Sequence, residues 1–373
     1  MNKHASYRAK TWPQCRARRF RAPVVLILAI VLAYAPASAA HAQHGDYLLG
    51  TAGLLGAQQP PEGILYSNIW SYYRASGGFL LSGTIKCGPL GKVCLSSSFQ
   101  GSGSLDLFVD QNFFWLVTPF KIPYLDATYG ALIDVPLVLV DASGNAAIEP
   151  TLAFSGPEET HTLTGSFSPA KGVTKGSIGD IYFEPIDLGW HFRQVDLLAS
   201  AAFIAPIGPY NANARVNVGS GHWTGLFGAG GILYADRART WGLSILSHYE
   251  TRSSQDGRPY VLGDDALIEW GASKTFDLRR EIFKQLTIGA VGYGLWQTTD
   301  NQIQVSAATP LQARAINALE EAQTRIYSAG PGAMLLTKYG LFALRYYDEF
   351  GANATPSGEQ LMFTYTVAVN PFN

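Results

Sequence analysis

The chain has 373 residues, of which only 15% are charged, while 12% are aromatic and 39 are glycine. A chain this poor in charge and rich in Tyr, Phe and Gly can bury ample apolar surface, which argues against disorder, and its 3 cysteines exclude a disulfide scaffold. The formal net charge of -1, with no basic block beyond the N-terminal region, disfavours nucleic-acid binding.

The first 42 residues have the pattern of an export signal. They carry seven Lys and Arg residues and no acid, followed by an apolar run over residues 24–33 and the small-x-small triplet Ala40-His41-Ala42. A membrane anchor is the alternative, but a span needs about 20 apolar residues and this run is only half as long. We therefore predict a signal peptide over residues 1–42, whose removal leaves 20 of the 27 cationic residues against 28 acids.

The rest of the chain contains no apolar run of 18 residues, roughly the length that a transmembrane helix requires. An exported chain can still cross a bilayer as a closed barrel, in which every backbone group in lipid has an internal partner. We therefore predict an all-β fold, an antiparallel up-and-down transmembrane β-barrel of the outer-membrane type over residues 62–373. Residues 43–61 precede it as a plug or a tether.

Side chains that alternate between an apolar and a polar face indicate about twelve strands. In the last one Leu361, Phe363 and Tyr365 share one face while Gln360 and Thr364 lie on the other. This is the alternation of lipid-facing and lumen-facing positions. The predicted strands cover residues 62–73, 104–119, 126–141, 177–191, 193–205, 222–236, 239–250, 261–276, 283–299, 323–337, 339–350 and 358–369.

Two features depart from simple alternation. Pro185 is expected to break the register of its strand, as proline does at bulges. Residues 223–234 and 286–296 are apolar or glycine on both faces. These two segments suit either the core of a soluble protein or a barrel whose lumen is itself apolar.

The connections between the predicted strands alternate between long and short. Short ones include residues 236–239 and 338–340. Brief periplasmic turns and extended extracellular loops are typical of outer-membrane barrels, and they place both termini on the periplasmic side. The long connections are residues 74–103, 142–176, 206–221, 251–260, 300–322 and 351–357.

Two of the long loops carry features of their own. Cys87 and Cys94 are expected to form a disulfide, because the loop lies in an oxidising compartment. Zinc is the alternative, although no second pair of ligands lies nearby in the sequence. Residues 309–322 have an early proline and apolar residues at helical spacing, which predicts a short helix that either lies on the surface or enters the pore.

Ten polar residues are predicted to face the lumen. A wet lumen can be lined with charge at little cost, or opposed Arg and acidic side chains can create a transverse field or a gate. Arg345 and Glu349 are four residues apart on one strand, about 13 Å, so each is expected to pair with another strand, at Asp180 or Glu184. The predicted lining residues are Arg345, Glu349, Asp180, Glu184, Asp187, His191, His248, Glu250, Asp265 and Glu269.

The sequence offers no recognisable catalytic or cofactor site. Ser247 and His248 are adjacent on a strand and therefore point to opposite faces, so they cannot act together. The chain has no Gly-x-Ser-x-Gly elbow, no His-Glu-x-x-His and no phosphate-binding loop. Its 7 histidines lack metal-ligand spacing. We predict that the protein is not an enzyme and binds no cofactor or metal.

The second half of the chain contains a series of short motifs. They are GDIYFEP (179–185), LGWHF (188–192), APIGPY (205–210), NVGSGHW (217–223), HYE (248–250), GDD (263–265), VGY (291–293) with Gln297 and Asp300, LRYYDEF (344–350) and PSG (356–358). In this order they resemble the phenol meta-degradation protein family, whose members are grouped with transporters of hydrophobic compounds. The resemblance implies a pore-like protein of a Gram-negative outer membrane that takes up aromatic or other hydrophobic compounds.

Together these observations predict an outer-membrane channel for small hydrophobic or aromatic compounds. A barrel of about twelve strands lies between eight, whose interior is filled, and sixteen, which leave a broad channel, so the lumen should be narrow. The expected partners are outer-membrane lipid, a small hydrophobic or aromatic solute, periplasmic chaperones and the barrel-assembly machinery. A structural or surface-binding barrel without transport is the first alternative, and a secreted soluble β-sandwich or an envelope hydrolase is the second.

Overall fold

The computed structural model describes most of the predicted barrel. It covers residues 46–85, 95–149, 154–155, 160–161, 170–212, 214, 216–257, 260–303 and 323–369. These residues form strands, turns and irregular segments, and none of them belongs to a helix long and apolar enough to span a bilayer. The predicted disulfide of Cys87 and Cys94 and the predicted helix at 309–322 lie outside the described residues.

The described residues form eighteen strands. They are β1 Gly63–Ile85, β2 Leu95–Ile122, β3 Ala127–Asp134, β4 Leu137–Glu149, β5 Phe154–Ser155, β6 Thr160–His161, β7 Ala170–Ile178, β8 Ile181–His191, β9 Val195–Ala205, β10 Thr224–Tyr234, β11 Trp241–Arg252, β12 Tyr260–Val261, β13 Asp265–Asp277, β14 Phe283–Gln297, β15 Gln302–Ile303, β16 Arg325–Thr337, β17 Gly340–Asn353 and β18 Gly358–Val369.

Twelve of these strands close into one antiparallel ring. Strand β1 pairs with β18 on one side and with β2 on the other, so the two edges of the sheet meet. Closure gives the backbone groups of each wall strand partners on both sides, which is what a lipid environment demands. The predicted twelve-strand barrel is confirmed. Around the ring the order is β1, β2, β3, β8, β9, β10, β11, β13, β14, β16, β17 and β18.

Four strands continue beyond the ring, where the sequence predicted loops. Strands β1 and β2 remain paired from Gly63↔Val117 up to Ile85↔Leu95. Strand β4 pairs with both β2 and β7. The prediction that residues 74–103 and 142–176 are loops is therefore wrong for much of their length. Side-chain alternation marks only the part of a strand that faces lipid, whereas these Gly- and Ser-rich segments continue the backbone pairing of the sheet beyond it.

The register irregularity predicted at Pro185 is confirmed. The pairing of β8 with β9 shifts between Phe183 and Ile186. Proline has no N–H to donate, so the local pairing cannot continue unbroken. A second interruption lies at Pro136, between the end of β3 and the start of β4, which follow one another along the chain.

The wall has an apolar outer face, and its inner face mixes polar with apolar side chains. On β18, Leu361 is 46% exposed whereas its inward neighbour Met362 is 0% exposed. On β14 the inward positions Val291, Tyr293 and Leu295 are all buried, so part of the lumen wall is apolar. This decides the ambiguity of residues 286–296 in favour of a barrel with an apolar lumen.

Candidate functional site

The segment that precedes the first strand lies within the ring of strands. We call residues 46–61 the N-terminal segment. Leu54 is 1% exposed and Ala57 is 0% exposed, although neither belongs to a strand. The segment contacts residues of β8, β10, β11, β13 and β17, strands that lie on several sides of the ring. The hydrophobic core of the barrel is therefore built between the wall and this segment.

A charged anchor holds the first described residue of the segment. Asp46 Oδ2 accepts hydrogen bonds from Arg252 Nε at 2.7 Å and from Thr224 Oγ1 at 2.7 Å, and His222 Nε2 lies 3.0 Å away. Burial alone would raise the pKa of Asp46, but the charges of Arg252 and His222 outweigh it and hold that pKa well below its ordinary value. Asp46 is thus bound as a carboxylate.

Arg252 connects this anchor to two further acids. Its Nη2 atom lies 2.5 Å from Glu250 Oε2 and 2.6 Å from Asp265 Oδ2. Glu250 in turn accepts the backbone N–H of Tyr47 at 3.0 Å and that of Asp46 at 3.2 Å. The guanidinium of Arg252 therefore forms ion pairs with three buried carboxylates, two from the wall and one from the N-terminal segment. We call Asp46, Glu250, Asp265 and Arg252 the upper anchor.

A second group of contacts surrounds Gly50. Its N–H donates to Glu269 Oε1 at 2.5 Å, and its carbonyl accepts from Arg345 Nη1 at 3.0 Å and from Tyr347 OH at 2.8 Å. Gly50 has a φ of 88°, and a Cβ there would lie 2.8 Å from the Tyr347 ring. Only glycine meets both demands at this position.

The end of the segment nearest β1 is bound by neutral hydrogen bonds. Gln59 Nε2 donates to the carbonyl of Asp187 at 2.9 Å, and Thr128 Oγ1 donates to Gln59 Oε1. Tyr234 OH donates to Gln58 Oε1 at 2.9 Å. The segment is thus attached along its length, with the ionic contacts concentrated at the end far from β1.

Eight of the ten predicted lining residues are buried inside the ring. Glu250, Glu269 and Arg345 bind the N-terminal segment directly, and Asp265 binds Arg252. The ring of His248 lies 4.7 Å from that of Tyr47, measured between centroids. The eight are Glu184, Asp187, His248, Glu250, Asp265, Glu269, Arg345 and Glu349.

The remaining two predicted residues lie at the ends of β8. Asp180 sits in the break before β8 and accepts the N–H of Gly208 at 2.8 Å and of Ser220 at 2.7 Å, so it fastens the connection between β9 and β10. The His191 side chain is 40% exposed, with Nδ1 3.1 Å from Asp196 Oδ1. Alternation along the strand gives no information on where the wall ends. It therefore predicts a lining position for Asp180 and His191 although both lie at the ends of β8.

The predicted ion pairs of Arg345 and Glu349 with Asp180 or Glu184 are wrong. Arg345 binds carbonyl oxygens of the N-terminal segment instead. Glu349 accepts hydrogen bonds from Tyr293 OH at 2.6 Å and from Tyr73 OH at 2.8 Å. A spacing argument cannot anticipate these partners, because it considers only charged residues of other strands.

Replacing Tyr293 by phenylalanine should lower the free energy of unfolding by about 1.5–3 kcal/mol, because a buried carboxylate loses a donor. Urea titration of the folded barrel in detergent micelles, read by heat-modifiable gel migration, measures the change. Tyr249→Phe is the control, since Tyr249 OH also donates to an acid, Asp264, but at an exposed site. Equal destabilisation by the two variants would contradict the importance of burial at Glu349.

Arg252 and Asp46 are the principal residues of the candidate site that the sequence pattern does not single out. Arg252 follows Glu250 by two residues and therefore lies on the same face of β11, a signal that was available. Asp46 belongs to no periodic pattern. Among the described residues, no group of three or more His, Cys, Asp or Glu side chains is placed to hold a metal ion.

Comparison with a solved outer membrane channel supports the barrel fold. The crystal structure of the COG4313 outer membrane channel from Pseudomonas putida F1 is 14% identical, covers 84% of this chain and 98% of its own, and has a TM-score of 0.50. The CymD monoaromatic hydrocarbon channel is 11% identical, covers 91% of this chain and 98% of its own, and has a TM-score of 0.36. No curated protein matches the chain significantly.

The family comparison is more specific than the structural ones. The model of the family described as "Putative MetA-pathway of phenol degradation" matches residues 93–365. The match covers well over half of the chain and includes ten of the twelve wall strands in full. It agrees with the resemblance carried by the short motifs of the second half. This protein therefore belongs to the phenol meta-degradation family.

Proposed function

We propose that this protein is an outer-membrane channel for small hydrophobic or aromatic compounds and that residues 43–61 are its plug. The observation that carries the proposal is the N-terminal segment, which occupies the lumen without being part of the wall. It is held by hydrogen bonds and ion pairs, whereas the wall is closed by its own backbone pairing. The segment can therefore leave the lumen without any wall strand separating from its neighbour.

The chemistry of the lumen favours a hydrophobic solute. Release of the segment would expose inward apolar side chains such as Leu226, Leu267, Leu295 and Ile326, each at most 1% exposed with the segment in place. An aromatic molecule would cover this surface, while an ion would gain little from it. The family's description and the name of the solved outer membrane channel support the same class of function.

The proposal includes the location and maturation of the chain. We infer that residues 1–42 are removed as a signal peptide and that residues 62–373 form the barrel in a Gram-negative outer membrane. Outer-membrane lipid, periplasmic chaperones and the barrel-assembly machinery are then its partners. The mass of the purified mature protein tests the cleavage site, since a chain beginning at Gln43 is expected.

Solute flux tests the proposed function directly. The protein is placed in vesicles with lipopolysaccharide in the outer leaflet and tyrosinase inside, so that entry of phenol produces a coloured quinone. We expect the rate of colour formation to rise with the number of barrels per vesicle, and entry of glucose to stay at the level of empty vesicles. Phenol entry equal to that of protein-free vesicles, with the barrel folded, would contradict transport.

One observation favours a second candidate function, the binding of an external partner. Among the described residues, 76–85 of β1 pair only with β2 and β7 pairs only with β4, so this part of the sheet continues beyond the ring. Sheet edges can add a strand from another molecule. This function predicts no solute flux, and it predicts loss of partner binding when the β1–β2 extension is shortened.

A further inference from the structure

A polar cluster lies on the outer, lipid-facing side of the barrel. Asn68 on β1 and Asp110 and Asn112 on β2 occupy outward positions of their strands and share that face with Trp70 and Phe114, which are 44% and 47% exposed. Asn68 is covered by its neighbours and is 8% exposed, whereas Asp110 and Asn112 are partly exposed. We call Asn68, Asp110 and Asn112 the outer notch. A carboxylate and two amides are unexpected on a face whose other wall positions are largely aromatic and aliphatic.

The outer notch lies near the middle of the lipid-facing band. Asn68 pairs with Asn112 on one side and with Tyr365 on the other. The apolar outward positions of β18 run from Leu361 to Val369, so Tyr365 is at their centre. Ionisable residues at such a depth are costly to keep and commonly mark a functional site.

Hydrogen bonds within the outer notch leave one acceptor free. Asn68 Nδ2 donates to Asp110 Oδ1 at 2.5 Å, and Tyr66 OH donates to Asn112 Oδ1 at 2.7 Å. Asn68 Nδ2 also lies 3.2 Å from Asn112 Oδ1 and 3.2 Å from the carbonyl of Gln111. Asn112 Nδ2 donates to the carbonyls of Asp110 and Val135 at 3.3 Å. No described residue donates to Asp110 Oδ2. The outer notch therefore has a carboxylate oxygen available to a donor that comes from the membrane.

An open pocket adjoins the outer notch. It has a volume of about 630 Å³ and is lined by Tyr66, Asn112, Phe114, Val135 and Leu137. The rings of Tyr66 and Phe114 pack 5.1 Å apart and form an aromatic wall. The pocket adjoins the interruption between β3 and β4, where the wall departs from a regular surface. Its size is within the range of small-molecule sites.

We propose that the outer notch and this pocket bind a small hydroxylated aromatic molecule dissolved in the bilayer. The ring lies against Tyr66 and Phe114, and the hydroxyl donates to Asp110 Oδ2. An aromatic hydrocarbon lacks the donor, and an ion does not enter the hydrocarbon region. The proposal rests on the proposed function for its class of solute, because a hydrophobic compound that passes the outer membrane also partitions into it.

Binding of two fluorinated probes tests the proposal. 4-Fluorophenol and 4-fluorotoluene have similar shapes, but only the first has a hydroxyl donor. Each is titrated against the full barrel in lipid nanodiscs and followed by fluorine NMR line broadening. The test variant is Asp110→Leu combined with Asn112→Leu, which replaces polar groups by apolar ones on a lipid-facing surface, and folding is checked by heat-modifiable migration.

We expect the double variant to bind 4-fluorophenol at least tenfold more weakly than the wild type and to bind 4-fluorotoluene equally well. Asp106→Leu is the matched control, because Asp106 faces outward on the same strand but already pairs with Arg74 and Tyr72. It should leave both affinities unchanged. Asp110→Asn retains an acceptor oxygen and should restore most of the binding.

Two results would overturn the proposal. One is equal affinity of wild type and double variant for 4-fluorophenol. The other is a wild type that sediments as a dimer and a double variant that sediments as a monomer, which would make the outer notch an interface between two copies. Phenol flux into vesicles is measured separately, so a failed channel with an intact outer notch is distinguishable from the reverse.

Discussion

Replacing Arg252 by methionine should release the N-terminal segment from the lumen and raise the ion conductance of the barrel in a planar bilayer. Arg252 is the cation between three buried carboxylates, from Asp46, Glu250 and Asp265. Removing one partner of a buried ion pair costs about 3–5 kcal/mol, because the remaining charges are left uncompensated. Since each 1.4 kcal/mol is a factor of ten in an equilibrium constant, the ratio of seated to released segment should fall at least about a hundredfold.

The wall can survive this substitution because its strands are joined by backbone pairing that does not involve the Arg252 side chain. Lys121→Met is the matched control: it removes a cation from an ion pair with Asp126, but both side chains are more than half exposed. Such surface pairs contribute about 0–1 kcal/mol, so its conductance should remain that of the wild type. A folded Arg252→Met barrel with unchanged conductance would contradict the role of the upper anchor.

Replacing Gly50 by valine should also open the barrel, through shape rather than charge. A Cβ at this position would lie 2.8 Å from Tyr347 Cε2 and 3.0 Å from Met362 Sδ, and the backbone φ of 88° is unfavourable for any β-branched residue. The segment then cannot seat with the Gly50 carbonyl against Arg345 and Tyr347. We expect a conductance increase comparable to that of Arg252→Met and faster phenol entry into loaded vesicles.

Gly257→Val separates the effect of backbone strain from the effect of a steric clash inside the lumen. Gly257 also has a positive φ, 66°, but lies in the exposed connection after β11, so the substitution carries similar backbone strain without obstructing the lumen. Its conductance should match the wild type. If the Gly50 and Gly257 variants behaved alike, the fit of the segment against Tyr347 would not control the lumen.

Both predictions have the same structural basis, a lumen occupant that is chemically distinct from the wall. The contacts of the N-terminal segment at Glu250, Glu269 and Arg345 join residues about 200 to 300 positions apart in the chain. None of them belongs to the backbone pairing that closes the ring. On the proposed function, opening therefore requires breaking contacts made by side chains and leaves the pairing of the wall intact.

Much of the wall could be predicted from local pattern, and one region of it could not. The last strand was predicted over 358–369 and is found at Gly358–Val369, because lipid on one side and the lumen on the other impose strict alternation there. The extensions of β1 to Ile85 and of β2 back to Leu95 were missed. Beyond the bilayer no apolar face is required, so a paired strand leaves no hydrophobic signal.

Most of the predicted lining residues are buried inside the ring, but their partners are not the predicted ones. Glu250, Glu269 and Arg345 do face inward, because their strands keep a period of two. Their partners lie in a segment with no periodicity at all, which the sequence left open as a plug or a tether. A spacing rule between strands could therefore place Arg345 in the lumen but could not pair it with the carbonyl of Gly50.

By itself the sequence determined the barrel, its strand number and the direction in which most side chains point. These properties depend on the alternating exposure of each strand to lipid and to the lumen, and neighbouring residues of the strand are enough to show that alternation. Only the tertiary structure decided what occupies the lumen, which acids share Arg252 and where the outer notch meets its pocket. Those arrangements arise when the ring closes and brings together residues that are distant in the chain, and no local pattern encodes them.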